Sequence, residues 1–217
     1  MIRKAPLLLL LSLFGLALAH ASDNSSLQAA SAAEAQGKFA TAVTLYNQII
    51  ARDPGNIEAY RGRGFSLFAL QKFTAAAADF GHTLDQRPND AYAMIWRYLS
   101  EVRAGVAAIN ELKTRAKLLH TPAWPLPAIR YLSRETNGIS MFEAVGTRHG
   151  PEHAARLCDA QLFYGENLLL KSRARVAMLA FYLAVSKDCV HNLSTRALAR
   201  LEYHRLNKAG VHMAPWE

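Results

Sequence analysis

Residues Ile57 to Asp90 read IEAYRGRGFSLFALQKFTAAAADFGHTLDQRPND, a 34-residue stretch with the pattern of two helices joined by a short turn. Gly64 and Ala76 are the small residues at which two antiparallel helices can press together, and a large side chain at either would overpack the contact by about 1–3 kcal/mol. Tyr60, Leu67 and Phe80 supply the bulk beside those contacts. Pro88 ends the second helix, because its ring forbids continuation.

Six positions, Tyr60, Gly64, Leu67, Ala76, Phe80 and Pro88, fall where the tetratricopeptide (TPR) unit places its aromatic, glycine, large apolar, alanine, aromatic and proline landmarks. Such a pair leaves an apolar face that only a neighbouring pair covers, so further units are required on both sides. The preceding one is fixed by arithmetic: Pro88 minus Pro54 is 34. In that register Ala42 aligns with Ala76 and Tyr46 with Phe80, while Ser26 and Ala30 replace the first aromatic and the glycine, as in a terminal capping repeat.

After Asp90 a third unit opens on Tyr92, Met94, Ile95, Trp96 and Leu99, and the register fades, with Glu101 where a large apolar residue belongs and a second helix expected over Val106 to Leu119. Residues 121–150 read as an irregular helical insert, entered through Trp124-Pro125-Leu126-Pro127, with short helices over Ala128 to Leu132 and Ile139 to Val145. Glu152 to Lys171 and Arg173 to Ser186 form a fourth pair, with Gly165, Ala177 and Phe181 back on the landmarks. Ser194 to Leu206 is a last helix that covers it. The expected fold is all-α, a TPR-type helical solenoid of antiparallel helix pairs. Its repeats are expected at about 23–56, 57–90, a degenerate 91–120 and 152–189, with an insert at 121–150 and a capping helix at 194–206.

Met1 to Ala21 has Arg3 and Lys4 ahead of the apolar run Leu7 to Leu18, and Ala19-His20-Ala21 ahead of a cut. This is the pattern of a cleaved secretory signal, too short to span a bilayer comfortably. A single domain over 22–217 is expected, periplasmic, with no membrane span after cleavage. With no Cys after the apolar run, no lipid anchor is expected. The formal charge is +8, and +8 less the two of Arg3 and Lys4 leaves +6. Lys and Arg are spread along the chain rather than gathered with aromatic partners, which excludes nucleic acid as the expected ligand.

No GxSxG, HExxH or phosphate loop occurs, so the chain is read as no enzyme and without cofactor. His149 and His153 have suggestive spacing, but Gly150-Pro151 between them breaks the continuous helix that a metal-binding pair needs, and no metal site is expected. Cys158 and Cys189 stand near the start and end of the fourth pair, where the first helix begins close to the end of the second. In an oxidising compartment that favours a disulfide, the alternative being two buried thiols.

Solenoids of this kind bind proteins on the face lined by their first helices. The candidate partner-binding residues are Glu58, Arg61, Phe65 and Phe68 of the second repeat with Tyr92, Ile95 and Leu99 of the third. They read as an aromatic floor with an Arg that would pair with a carboxylate of the incoming chain. The alternative reading is that Phe65, Phe68 and Ile95 pack against neighbouring helices.

The succession of repeats, then YAMIWRYLSEVRAG, WPLPAIRYL and LCDAQLFYGENLLLKSRARVAMLAFYLAV, resembles the NlpI-like family of exported bacterial TPR proteins. The resemblance implies a non-catalytic adaptor or scaffold of the cell envelope, with envelope proteases or peptidoglycan hydrolases as partners. That family's lipid anchor does not carry over, and a homodimer is left open. The alternatives are a structural component of a secretion or envelope machine and, lacking any motif, a cell-wall hydrolase.

Overall fold

The computed structural model describes residues 24–147, 150–185, 189 and 192–212. The signal expected over Met1 to Ala21, its cleavage point before Ser22, and His149 lie outside the described residues. Eleven helices follow one another, and no strand occurs, among the described residues. Helix α1 covers residues 24–35. It is followed by α2 (Phe39–Arg52), α3 (Ile57–Ala69), α4 (Phe73–Gln86), α5 (Ala91–Arg103), α6 (Ile109–Ala116), α7 (Leu126–Leu132), α8 (Gly138–Glu143), α9 (Pro151–Leu170), α10 (Ala174–Ala184) and α11 (Leu193–Lys208). The chain is an all-α, TPR-type solenoid. No described helix is long and apolar enough to cross a membrane.

The repeat is written in the caps as well as the core. Asn56 and Asp90 are 34 apart, and each accepts a hydrogen bond from the backbone N–H three residues on, at 3.1 Å and 3.0 Å, so α3 and α5 start by the same device. The turn inside each pair carries a left-handed residue: Gly37 (φ 73°), Gln71 (φ 61°) and Gly105 (φ 85°), with 71 − 37 and 105 − 71 both equal to 34. The third unit therefore keeps the register through its turn. What it loses is the second helix, which runs only Ile109–Ala116 where Val106 to Leu119 was expected. Val106 is exposed just after the Gly105 turn, and Leu118 is exposed past the helix end, so neither has core contact to hold it helical.

The close approaches fall at the expected glycines. A Cβ on Gly64 would lie 3.1 Å from the Phe80 ring, and one on Gly165 would lie 2.5 Å from the Phe181 ring. The second and fourth pairs thus meet through the same glycine-on-phenylalanine contact, 101 residues apart. An aromatic chain then ties the units together: Phe39 of α2 against Phe65 of α3 (ring centroids 6.2 Å), Phe65 against Trp96 of α5 (5.0 Å), and Trp96 against Phe163 of α9 (5.6 Å). Edge-to-face pairs of this kind add about 0.5–1.5 kcal/mol each beyond their burial.

The last helix does more than cover the fourth unit. Leu198 is buried, with Leu201 and Leu206 packed beside the core. Polar residues of α11 and its cap also reach back to the first two repeats. Arg205 donates to the backbone carbonyl of Ala69 at 2.5 Å, closing the end of α3, and Ser194 donates to Glu34 of α1 at 3.3 Å. Cys158 of α9 and Cys189, just past α10, are joined by a disulfide with Cα atoms 5.5 Å apart.

Candidate functional site

A cleft of about 520 Å³ opens where α1, α3 and α5 meet the start of α11. Its apolar lining is aromatic apart from Leu27: Phe65 and Trp96 stand edge to face, with Tyr46, Phe80 and Tyr92 also on the cleft. Its polar rim is Gln28 and Ser31 from α1, Glu58 and Arg61 from α3, and Asn192, Ser194 and Thr195 at the start of α11. The volume lies in the range of ordinary ligand pockets, about 300–1,000 Å³, and suits side chains or a short peptide.

Two buried carboxyl groups sit in the wall. Glu34, 6 % exposed, accepts hydrogen bonds from Ser66 (2.8 Å), from Ser194 (3.3 Å) and from the Tyr46 hydroxyl. Burial pushes its carboxyl up to about 7, against the pull of these donors and of the more distant Arg61. Asp159 of α9 accepts from Tyr92 (2.7 Å), Asn192 (2.7 Å) and Thr195 (3.0 Å), and burial pushes it up to about 6. Trp124, from the irregular insert, donates to the Tyr92 hydroxyl at 3.1 Å, which ties the insert into the same network. Burial beside these acids also raises the Tyr46 and Tyr92 phenols, so both stay protonated donors.

Of the residues singled out in the sequence, Glu58, Arg61, Phe65 and Tyr92 come together on this cleft. Phe68, Ile95 and Leu99 do not. All three are fully buried, Phe68 against Phe73 and Trp96, because they face the neighbouring helices rather than the cleft. Arg61, expected to pair with a carboxylate of the incoming chain, already has carboxylate partners within the fold. It pairs with Glu58 (3.2 Å) and with Asp90 (3.4 Å), the cap of α5, and Glu58 in turn pairs with Arg87 (2.5 Å). Its charge is already matched, so it is a poor clamp for an incoming carboxylate.

Sequence reasoning missed Glu34, Trp96, Asp159 and the α11 residues as site residues. Glu34 did carry a signal: it follows Ala30 and Ala33 on the packed face of α1, where an acid is out of place. Asn192 to Thr195 carried none, since 160 residues separate Ser194 from Glu34. His153 stands in the first turn of α9, away from this cleft.

A family model described as tetratricopeptide repeat matches residues 23–66, covering the first helix pair and most of α3. The match lies on the part of the chain that forms two of the cleft's walls. The chain thus carries a TPR repeat, a type of unit that suggests protein–protein interaction.

Proposed function

We propose that the protein is a non-catalytic adaptor of the bacterial cell envelope that holds a segment of a partner protein in the cleft between α1, α3, α5 and the start of α11. The observation that carries this reading is the cleft itself: an aromatic floor of Phe65, Trp96 and Tyr92 with a polar rim, on the helices a TPR solenoid uses for recognition. Large rigid aromatics in a partly desolvated pocket are the side chains that dominate protein interfaces. The signal-like pattern of Met1 to Ala21 supports a periplasmic location for the adaptor. The disulfide between Cys158 and Cys189 supports an oxidising compartment. Envelope proteases and peptidoglycan hydrolases are the partners the family resemblance suggests.

The test is a cross-linking capture from envelope extract with mass spectrometry, run with the wild type and with Ser31→Trp, which blocks the mouth from an exposed position. Proteases or hydrolases captured by the wild type and lost with Ser31→Trp are expected. Subunits of a secretion machine would point instead to a structural component, and capture indifferent to the block would remove the cleft from the account.

A further inference from the structure

Among the described residues five carboxylates are buried: Glu34, Asp79, Asp159, Glu166 and Glu202. Three have an arginine. Arg63 grips Asp79 at 2.7 Å, Arg103 holds Glu166 at 2.8 Å, and Arg205 pairs with Glu202. The two without an ion pair among the described residues, Glu34 and Asp159, are the two that line the cleft. Their donors are all neutral: hydroxyls for Glu34, and two hydroxyls, an amide and the Trp124 indole for Asp159. A buried carboxylate with no counter-charge is costly, and elsewhere in this chain the cost is met by arginine.

Resting on the reading of the cleft as the partner site, we propose that it takes a basic side chain, a lysine or arginine of the bound segment, between Glu34 and Asp159. The two acids line the same cleft and meet the same start of α11, where Ser194 and Thr195, adjacent in the chain, each bond one of them. The start of α11 offers them only the partial charge of a helix end. Phe65, Trp96 and Tyr92 give the stem of a long cationic side chain an apolar bed, and the face of an aromatic ring attracts the cation itself. Arg61, the one cation among the described lining residues, is spent on Glu58 and Asp90 and leaves that charge vacant. The chain's overall positive charge does not oppose this at short range, since exposed charges are screened beyond about 8–10 Å at physiological salt.

A cation favours the ionised carboxyl, so binding is linked to protons. Glu34 faces Tyr46, Ser66, Ser194 and, farther off, Arg61. Asp159 faces Tyr92, Thr195, Trp124 and Asn192. Glu34 lies at about 7 and Asp159 at about 6, so Glu34 ionises and Asp159 completes its ionisation between pH 6 and 8, and affinity for a base rises over that window.

The experiment is a selection of phage-displayed random heptapeptides on the intact protein, followed by calorimetric titration of the synthetic winners. Winners rich in Lys or Arg are expected, with at least about tenfold loss when the basic residue becomes norleucine, a change of about 1.4 kcal/mol. Affinity should rise from pH 6 to pH 8 in the wild type and rise less in Glu34→Gln, which keeps the size and one acceptor oxygen and removes the charge. If that variant fails to fold, a wild-type affinity flat over the same window overturns the proposal by itself. Winners blocked by Ser31→Trp that accept norleucine or glutamate in place of the base overturn the proposal and leave the cleft reading standing. Winners indifferent to Ser31→Trp, or no winners at all, overturn both.

Discussion

Gly62 has no side chain because Tyr46 stands where it would be: a Cβ there would overlap the phenol ring of the preceding repeat. Tyr46 must keep that position to reach Glu34, so a glycine on α3 sets a hydrogen bond between α2 and α1. Gly62→Ala should destabilise the fold by about 1–3 kcal/mol, the range for forcing volume into a packed contact, and denaturant melts would show it. A melt within about 0.5 kcal/mol of wild type, as ordinary surface changes give, would mean that Tyr46 simply moves aside. Gly64 and Gly165 were legible because each faces the landmark aromatic of its own pair, Phe80 or Phe181, at a fixed spacing. Gly62 was not, since its reason for being glycine lies in the preceding repeat. Arg61 shows the same limit, because its partner Asp90 is 29 residues on and in the sequence marks only the end of a repeat.

At the scale of elements, most helices were legible because each rule that makes them is local. Asn56 and Asp90 cap, Pro54 and Pro88 stop, and the turns at Gly37, Gln71 and Gly105 recur by simple addition. By sequence the register fades at Glu101, but that residue is accommodated by an ion pair with Arg97 at 2.9 Å on the same helix, and the pattern persists to Gly105. The real failure comes after the turn, where α6 has only Leu112 buried along its length. The Cys158–Cys189 bond closes 31 residues around the last pair. Its reduction should lower stability by about 2–4 kcal/mol through the freed denatured chain. Two reactive thiols on titration of the unreduced, denatured protein would show that the bond is not formed.

Over the whole molecule, the solenoid is drawn together by its last helix. Ser194, Asn192 and Thr195 bring α1 and α9 to one place, and Arg205 fastens α3 from the other end of α11. No period in the sequence could foretell this, because contacts across more than a hundred residues are set by how the repeats curl, not by the repeat itself. One consequence is a pH dependence. Glu34 and Asp159 are raised by burial above ordinary carboxylate values, to about 7 and about 6, and burial raises Glu166 as well despite Arg103. A group raised on folding stabilises while it stays protonated, and that contribution is lost as pH rises through its folded value. The melting temperature should therefore fall from pH 5 to pH 8 at constant ionic strength, and fall less in Glu34→Gln. A temperature that climbs over that interval would contradict the burial assigned to these acids.

The central claim is that a partner segment occupies the cleft, and site-specific photo-cross-linking tests it most directly. A photoreactive phenylalanine at Gln28, exposed on the cleft rim, is compared with one at Ala78, exposed on the second helix of its pair. Adducts with the captured partner from Gln28 and none from Ala78, with the cross-linked peptide mapping to a basic segment, is the predicted result. Equal adducts from both positions, or adducts from Ala78 alone, would contradict it.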